Sequence, residues 1–233
     1  MIDSFVSIDL ETTGLNPKTD RIMEIGAVKI TEGVETASFH TFVNPHRTPE
    51  DRVLALTGIT PEDLRGAPDI EEVLPELMEF LGDDVLVGHR ILFDYSFLKK
   101  AALDQKKSFE KKGLDTLRIA RVYLPELEKK TLEYLCNHFE IPHRAHRALD
   151  DARATAYLYG ILVEKFYGEK EQLFCPAPLI CNIKRDTPIT VAQKEQLARL
   201  MARHNLPVDG DMEKLTRSEA SRIIDKILQE YGR

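Results

Sequence analysis

Apolar and polar residues alternate along the N-terminal part of the chain, and this alternation predicts β-strands. Between positions 5 and 10 the residues of even number are apolar, whereas Asp9 and Glu11 lie on the opposite face, because successive side chains of a strand point to opposite sides of the sheet. Two more alternating runs, residues 21–30 and 35–45, are separated by a short turn. They predict a β-hairpin that follows the first strand.

Farther along the chain the spacing of apolar residues changes from two to three or four, which predicts helices. A short apolar run at residues 84–89 predicts one buried strand among them. The predicted helical segments are residues 59–64, 68–82, 93–105, 114–124, 131–141 and 146–166. A hairpin followed by strands that alternate with helices is typical of an α/β layered fold with a mixed sheet.

The C-terminal part of the chain has a different organisation. Periodicity disappears after about Gly168, where prolines punctuate the sequence and predict a linker. Farther on, Thr190 with Gln193 and Thr216 with Glu219 each match a capping box at the start of a helix. The second helix carries an apolar stripe of Ala220, Ile223, Ile224, Ile227, Leu228 and Tyr231. The expected division is a main domain (1–167), a linker (168–188) and a helical hairpin (189–233), the last small enough to need docking.

Length and composition restrict the class of protein. A chain of 233 residues with 42% hydrophobic content can bury one substantial core and a small second module. It has no apolar run near the roughly 18 residues of a membrane span, and acids occupy its N-terminus, so a cytoplasmic location is expected. The three cysteines show no paired spacing and are expected to be free thiols. The net charge of −7 argues against a protein that coats duplex DNA, but permits one that grips a few terminal nucleotides.

Three separated motifs carry acidic side chains that their patterns direct inward. Asp9 and Glu11 share one face of the first strand, and Asp94 follows the buried strand at the start of a helix. Asp151 shares a helical face with apolar residues at i+3, i+4 and i+7, and His146 precedes it by five positions. Each motif alone has a simpler explanation: a solvated strand edge, a helix N-cap for Asp94, or acids at the positive end of a helix dipole.

The conjunction of the motifs is more specific than any one of them. Four inward-directed acids cannot stay ionised together without cations, because buried charge is costly unless it is paired or coordinated. Oxygen ligands without thiolates suit Mg²⁺ or Mn²⁺. Two divalent cations would balance four carboxylates, and such pairs serve phosphodiester hydrolysis. His146 would then be placed to accept the proton of the attacking water, since histidine is the side chain that most often serves as a general base.

In this order along the chain, the segments SIDLETTGLNP, GHRILFD and HRALDD are similar to the motifs of a known family. They resemble the DEDD-type 3′-to-5′ exonucleases of the histidine subclass, typified by the proofreading epsilon subunit of bacterial DNA polymerase III and by ribonuclease T. The resemblance covers about residues 4–167, and the segment LALTGITPEDLRGAP is also similar to a loop of that family. The other subclass has a tyrosine four residues before its last acid, where this chain has Arg147.

The resemblance implies both a fold and a site. The implied fold is ribonuclease H-like, with a mixed five-stranded sheet flanked by helices. The implied metal ligands are Asp9, Glu11, Asp94 and Asp151, and the implied general base is His146. The loop after the acid pair would meet the terminal nucleotide through Thr12, Thr13 and Leu15, although a plain turn rich in threonine and glycine remains an alternative.

Three neighbouring polar residues receive simpler interpretations. Asp150 lies about 100° around the helix from Asp151 and is expected at the surface. His143 and His146 have the i, i+3 spacing of a zinc pair, but no further ligand completes a zinc site. His89 is expected to shape the loop before Asp94.

The expected function is a 3′-to-5′ exonuclease that uses two divalent cations and releases nucleoside 5′-monophosphates from a single-stranded or frayed 3′ end. DNA is favoured over RNA, although the sequence does not locate a contact to the 2′-hydroxyl group. The alternatives are an exoribonuclease and a non-catalytic scaffolding subunit of a replication or repair assembly. Residues 189–233 would bind a polymerase or another replication or repair protein, bind nucleic acid weakly, or cover the main core.

Overall fold

The structure, a computed structural model, describes residues 1–168, 170–183, 187–206, 212 and 215–232. The strands are β1 Phe5–Thr12, β2 Ile22–Thr31, β3 Val34–Phe42, β4 Leu86–Gly88, β5 Lys112–Asp115 and β6 Ala177–Pro178. The helices are α1 Asp51–Thr57, α2 Pro61–Arg65, α3 Ile70–Leu81, α4 Leu92–Asp104, α5 Thr116–Tyr123, α6 Leu132–His138, α7 Ala148–Phe166, α8 Val191–His204 and α9 Arg217–Tyr231. A 3₁₀ turn, Glu171–Phe174, precedes β6.

The sheet is mixed, as the sequence predicted, but it has six strands among the described residues instead of five. Its order is β3-β2-β1-β4-β5-β6. The first three strands pair antiparallel, whereas β4 pairs parallel with both β1 and β5. The additional strand β6 has two residues, lies in the predicted linker, and pairs antiparallel with β5. Because Pro178 cannot donate a ladder hydrogen bond, it fits at the sheet edge.

Both faces of the central strand β1 are covered. Val6, Ile8 and Leu10 pack with residues of α3 and α4, whereas Phe5 packs with residues of α5, α6 and α7 on the other side. The alternation in β1 therefore separates two buried faces, as it does in layered α/β sheets. Asp9 shares the face that α7 covers, which directs its carboxylate toward that helix.

Most of the predicted elements are confirmed, and the misses have a physical reason. Helix α1 and strand β5 were not predicted. Strand β5 has the sequence KGLD, which is too short to show an alternating pattern. The helix predicted from residue 114 begins at Thr116, because Asp115 ends the strand and caps the helix by accepting bonds from Leu117 N and Arg118 N.

Helices α8 and α9 form at the predicted positions. Both capping boxes are present, at Thr190 and at Thr216. The two helices pack on each other through Leu197, Leu200, Ile224 and Ile227. Tyr231, at the end of the predicted stripe, is 51% exposed, and its ring centroid lies 5.4 Å from that of His204 on α8. The division of the chain into three parts stays a prediction.

Two composition-based expectations can be compared with the structure. Cys136, Cys175 and Cys181 are free thiols, as predicted. Among the described residues, every helix is too short or too polar to traverse a lipid bilayer.

Candidate active site

Three of the predicted acids converge at one place in the fold. Asp9 and Glu11 project from β1, and Asp151 projects from the first turns of α7. One carboxylate oxygen from each of these residues lies within 4.8 Å of the others. Residues about 140 positions apart in the sequence therefore form one carboxylate triad.

A glycine allows α7 to approach the sheet closely enough to form this triad. Gly26 of β2 pairs with Asp9 of β1. A Cβ atom at Gly26 would lie 2.1 Å from both the carbonyl carbon of Ala148 and the amide nitrogen of Leu149. The backbone at the start of α7 thus rests directly on β2, which places the side chain of Asp151 over the acid pair.

A fourth carboxylate, Glu24, fastens the same helix start to β2. Glu24 is fully buried and lies opposite Glu11 in the antiparallel register of β1 and β2. It accepts hydrogen bonds from the Arg147 guanidinium at 3.1 and 3.3 Å and from the Ala148 amide at 3.4 Å, and His40 Nε2 lies 2.7 Å from it. The sequence analysis missed this residue. The signal was available, since a glutamate inside an apolar strand needs a buried partner.

Both carboxylate oxygens of Asp151 are engaged. His143 Nε2 lies 2.7 Å from Oδ1, and the Arg147 amide donates to Oδ2 at 2.9 Å. The hydrogen bond to Asp151 and a second one to Cys136 raise the pKa of His143 to about 10. His143 therefore holds the Asp151 carboxylate in place, a contact that the sequence analysis did not foresee.

His146 lies at the rim of the triad. Its Nδ1 atom is 3.9 Å from Oε1 of Glu11, and its side chain is 42% exposed. Its φ angle is +65°, a left-handed conformation that is uncommon for residues other than glycine. This backbone turn precedes α7 and places the imidazole beside the acids while one side remains open to solvent.

Asp94 occupies a separate position next to the triad. The N-cap of α4 is Ile91, so the N-cap explanation for Asp94 is wrong. Asp94 lies in the first turn of α4, and its Oδ1 atom accepts a hydrogen bond from the Leu10 amide at 3.0 Å. Burial is the main reason that the pKa of Asp94 rises to about 8. The structure thus joins Asp94 to the backbone between the two acids of β1.

Burial and mutual repulsion both disfavour the charged forms of these acids, and burial has the larger effect. Burial, followed by the charges of Asp94 and Asp151, raises the pKa of Asp9 well above its usual range. Burial, followed by the charges of Asp151 and Glu24, raises the pKa of Glu11 to about 8. Such carboxylates can all be ionised near neutral pH when a cation lies between them. The oxygen-rich cluster is therefore suited to a divalent metal ion.

The loop after β1 begins directly at the triad. The Thr12 hydroxyl donates to the Gly14 carbonyl at 2.6 Å, and the Thr13 hydroxyl accepts from the Arg21 amide at 3.0 Å. Both threonines are buried, whereas Leu15 is 78% exposed. The hydroxyl groups therefore shape the loop, and Leu15 presents an apolar surface to solvent.

The remaining candidates lie outside the triad. Asp150 is half-buried instead of fully exposed. The ring nitrogens of His89 lie 2.9 Å from the Thr116 hydroxyl and 2.7 Å from the Lys130 carbonyl. Burial lowers the pKa of His89. Its two contacts hold the loop that leads to Asp94, which is the role predicted for it.

Comparison with solved structures shows a shared fold. Exonuclease X bound to 5′-overhanging duplex DNA aligns with a TM-score of 0.58 and 25% identity, over 72% of this chain and 96% of that one. Exonuclease I of E. coli in its complex with single-stranded DNA aligns with a TM-score of 0.66 and 20% identity, over 75% of this chain and 43% of that one. Both likenesses support the predicted α/β fold.

Comparison of sequences gives the family. The DNA polymerase III PolC-type protein of Clostridium perfringens is 41% identical over 170 residues, which are 72% of this chain and 12% of that protein. The DNA polymerase III subunit epsilon of Aquifex aeolicus is 38% identical over 166 residues, which are 70% of this chain and 82% of that subunit. A family model described as an exonuclease matches residues 6–159. The chain therefore belongs to the exonuclease family, in agreement with the prediction from its sequence.

Proposed function

We propose that the protein is a metal-dependent 3′-to-5′ exonuclease that removes nucleoside 5′-monophosphates from single-stranded or frayed nucleic acid. The observation that carries the proposal is the triad of Asp9, Glu11 and Asp151, whose oxygen atoms lie within 4.8 Å of one another. Burying such mutually repelling groups is costly unless they hold cations. Membership of the exonuclease family supports the reaction class.

The donor set fits two divalent cations, Mg²⁺ or Mn²⁺. Asp9, Glu11 and Asp151 would hold them, with Asp94 as the fourth ligand because it is bonded to the backbone of β1 beside the pair. All of these donors are carboxylate oxygens, which suit hard cations. Held by these carboxylates, such ions would supply polarisation of the phosphoryl oxygen and stabilisation of the charge that develops on the attacking and leaving oxygens.

The residues around the ligands have separate roles in the proposal. His146 accepts the proton of the attacking water, since its ring lies near Glu11 and is open to solvent. His143 and the Arg147 amide orient Asp151. Leu15 offers its exposed side chain to the terminal base, while Thr12 and Thr13 hold the loop around the terminal nucleotide.

DNA is the proposed substrate. Relatives at about 40% identity are named as DNA polymerase III proteins, and a solved exonuclease I structure of the same fold contains single-stranded DNA. The comparison of DNA and RNA oligonucleotides of one sequence tests this choice. We expect a higher kcat/KM on DNA, and equal values for the DNA and RNA oligonucleotides would contradict the choice of DNA.

The proposed partner of residues 189–233 is a polymerase or another replication or repair protein, since relatives carry polymerase III names. The exposed side of α8, where Val191 is 72% exposed, is available for such a contact. A purely scaffolding role is disfavoured, because a scaffold has no use for buried, mutually repelling carboxylates.

The experiment that tests the function uses a 5′-labelled single-stranded DNA oligonucleotide with Mg²⁺ or Mn²⁺. We expect a ladder that shortens from the 3′ end and mononucleotide 5′-phosphates as the released product. Asp9→Ala should remove the activity, as should a chelator. Internal cleavage, shortening from the 5′ end, or undiminished activity of Asp9→Ala would contradict the proposal.

A further inference from the structure

Helix α9 contacts the catalytic face of the protein through a buried glutamate. Oε1 of Glu219 lies 2.5 Å from Nη2 of Arg21 and also contacts Nη2 of Arg47. The Glu219 side chain is 5% exposed. Arg21 ends the loop that begins at the carboxylate triad, so this contact joins the C-terminal helices to the predicted substrate loop.

A second ion pair reaches the same loop. Arg222, one turn farther along α9, donates to Oδ1 of Asp20 at 2.9 Å. The other oxygen of Asp20 accepts from the Asn16 amide at 2.9 Å. Asp20 also packs against Gly14, where a Cβ atom would approach its Oδ2 to 2.5 Å. Asp20 therefore holds the loop closed, and Arg222 holds Asp20.

Arg21 connects its ion pair with Glu219 to Thr13, which lies close to the acids. Its amide donates to the Thr13 hydroxyl at 3.0 Å, and its carbonyl accepts from the Thr13 amide at 2.8 Å. Arg47 supports the other side, since its Nη1 atom donates to the Thr19 carbonyl at 2.7 Å. The side chain of Arg21 thus bonds to Glu219 and its backbone bonds to Thr13, so Arg21 connects the two residues.

The docking of α9 onto this loop is polar. The apolar side chains Ile224 and Ile227 pack against α8, and Glu219 and Arg222 supply the contacts to the loop. Burial lowers the pKa of Arg47, and the Glu219 carboxylate opposes that shift. Removing the buried Glu219 carboxylate leaves Arg21 and Arg47 without their anionic partner, which disfavours the docked arrangement.

We propose that Glu219 and Arg222 are positioning residues for the loop of residues 13–21, so that the C-terminal helices set the affinity for the 3′-terminal nucleotide. The inference rests on the proposed function, in which this loop binds that nucleotide. It gives the helical hairpin a role within the chain in addition to any contact with a partner protein.

Glu219→Gln is a selective test, because the carboxylate has two separable tasks. Oε2 caps α9 by accepting from the Thr216 amide at 2.9 Å, and a glutamine at N3 can also accept this bond. Oε1 pairs with the two arginines, and glutamine brings no charge to them. The substitution therefore keeps the helix cap and weakens docking. Arg222→Ala breaks the second ion pair independently, and Arg222→Lys partly restores it.

We expect Glu219→Gln and Arg222→Ala, in the full chain, to raise KM for a single-stranded DNA oligonucleotide by about tenfold, as loss of a charge-assisted hydrogen bond does. The value of kcat should stay within about twofold, since the triad is untouched, and Arg222→Lys should recover part of the KM. Glu230→Gln is the matched control on α9, because Glu230 is exposed and pairs at 4.0 Å with Lys226 of the same helix. This control should match the wild type.

Amide hydrogen exchange gives a readout that does not require activity. Residues 14–21 should exchange faster in Glu219→Gln and Arg222→Ala than in the wild type or Glu230→Gln, since the loop loses its anchors. Unchanged exchange in this loop, or a loss of kcat with unchanged KM, would overturn the positioning role. Faster exchange in a protein that never shortens DNA would instead retain the positioning role and reject the proposed function.

Discussion

At the scale of single residues, the site is a set of acids whose burial conflicts with their charge. Asp151 has both oxygens held by His143 and the Arg147 amide, whereas the charges of Asp9 and Glu11 repel that of Asp151. This conflict makes the metal-free protein sensitive to pH.

The stability of the metal-free protein should fall as pH rises. The pKa of Glu11 is about 8 in the folded chain and 4.5 ordinarily, so its protonated form stabilises the fold fully below about pH 4.5. That contribution is lost as pH rises through about 8. Because glutamine does not ionise, Glu11→Gln should remove most of this loss of stability with pH. Without metal at pH 8 the variant should melt a few degrees above the wild type, since each kcal/mol of stability corresponds to about 2–4 °C. Thermal unfolding of both proteins in the presence of a chelator, from pH 5 to 8, measures this difference in melting temperature. A wild type equal to Glu11→Gln at pH 8 would refute the prediction.

His143 and His146 should have separable effects. His146→Asn should lower kcat by about 10²–10⁴-fold, as expected for loss of a general base, and leave stabilisation by Mn²⁺ intact. His143→Asn should weaken Mn²⁺ binding by about 10–100-fold, because it removes the contact that orients Asp151. Single-turnover rates and metal-dependent melting curves distinguish the two. If both variants lost metal binding equally, these assignments would not hold.

At the scale of elements, the close approach of α7 to β2 determines the geometry of the triad. Gly26 leaves room for the backbone of Ala148 and Leu149, and Glu24 bonds to the Ala148 amide. Helix α7 therefore begins at a fixed distance from β1. A change in this spacing would move Asp151 relative to the other acids.

Gly26→Ala should test this spacing. Its Cβ would lie 2.1 Å from main-chain atoms of α7, so the helix start must move, at a cost of about 1–3 kcal/mol. We expect lower stability and a large loss of kcat. Gly160→Ala is the matched control within α7, since a Cβ there has no neighbour within 4 Å and alanine favours a helix. The control should be active and slightly more stable, and an equally active Gly26→Ala would contradict the spacing argument.

The elements themselves were largely predictable, because alternation and helical periodicity report burial directly. Strand β5 was missed since its four residues show no pattern, and the two-residue β6 was missed because its pairing with β5 is a tertiary contact. Within the site, the strand and helix patterns directed Asp9, Glu11 and Asp151 inward, and the family resemblance implied that they lie together. The burial of Glu24 in an apolar strand indicated that it needs a partner, but that partner, Arg147, is 123 positions away and only the fold identifies it. The contact of His143 with Asp151 depends on the conformation of the loop before α7, which the sequence pattern does not specify.

At the scale of the whole molecule, parts of the chain that are far apart in sequence contact one another beside the carboxylate triad. Glu219 and Arg21 are 198 positions apart and nevertheless form an ion pair. The sequence predicted that the C-terminal helices need docking, but it contains no local signal for the surface that receives them. Ion pairs of this kind depend on the folded arrangement of both partners.

The net charge of −7 leads to a prediction about salt dependence. A protein that grips few phosphates releases few counterions, so log KM should rise with log salt at a slope of no more than about 2 at constant metal concentration. Steady-state assays on DNA oligonucleotides between about 50 and 200 mM salt measure the slope. A slope several times steeper would indicate an extended contact with the nucleic-acid backbone.

The most direct test of the account is a calorimetric titration of the metal-free 233-residue protein with Mn²⁺. We expect binding of two ions by the wild type and a large loss of affinity in Asp9→Asn and Asp151→Asn, whose residues belong to β1 and α7. Asp150→Asn, which alters the adjacent residue outside the triad, should bind as the wild type does. Wild-type affinity in both triad variants would contradict the claim that these acids form one metal site.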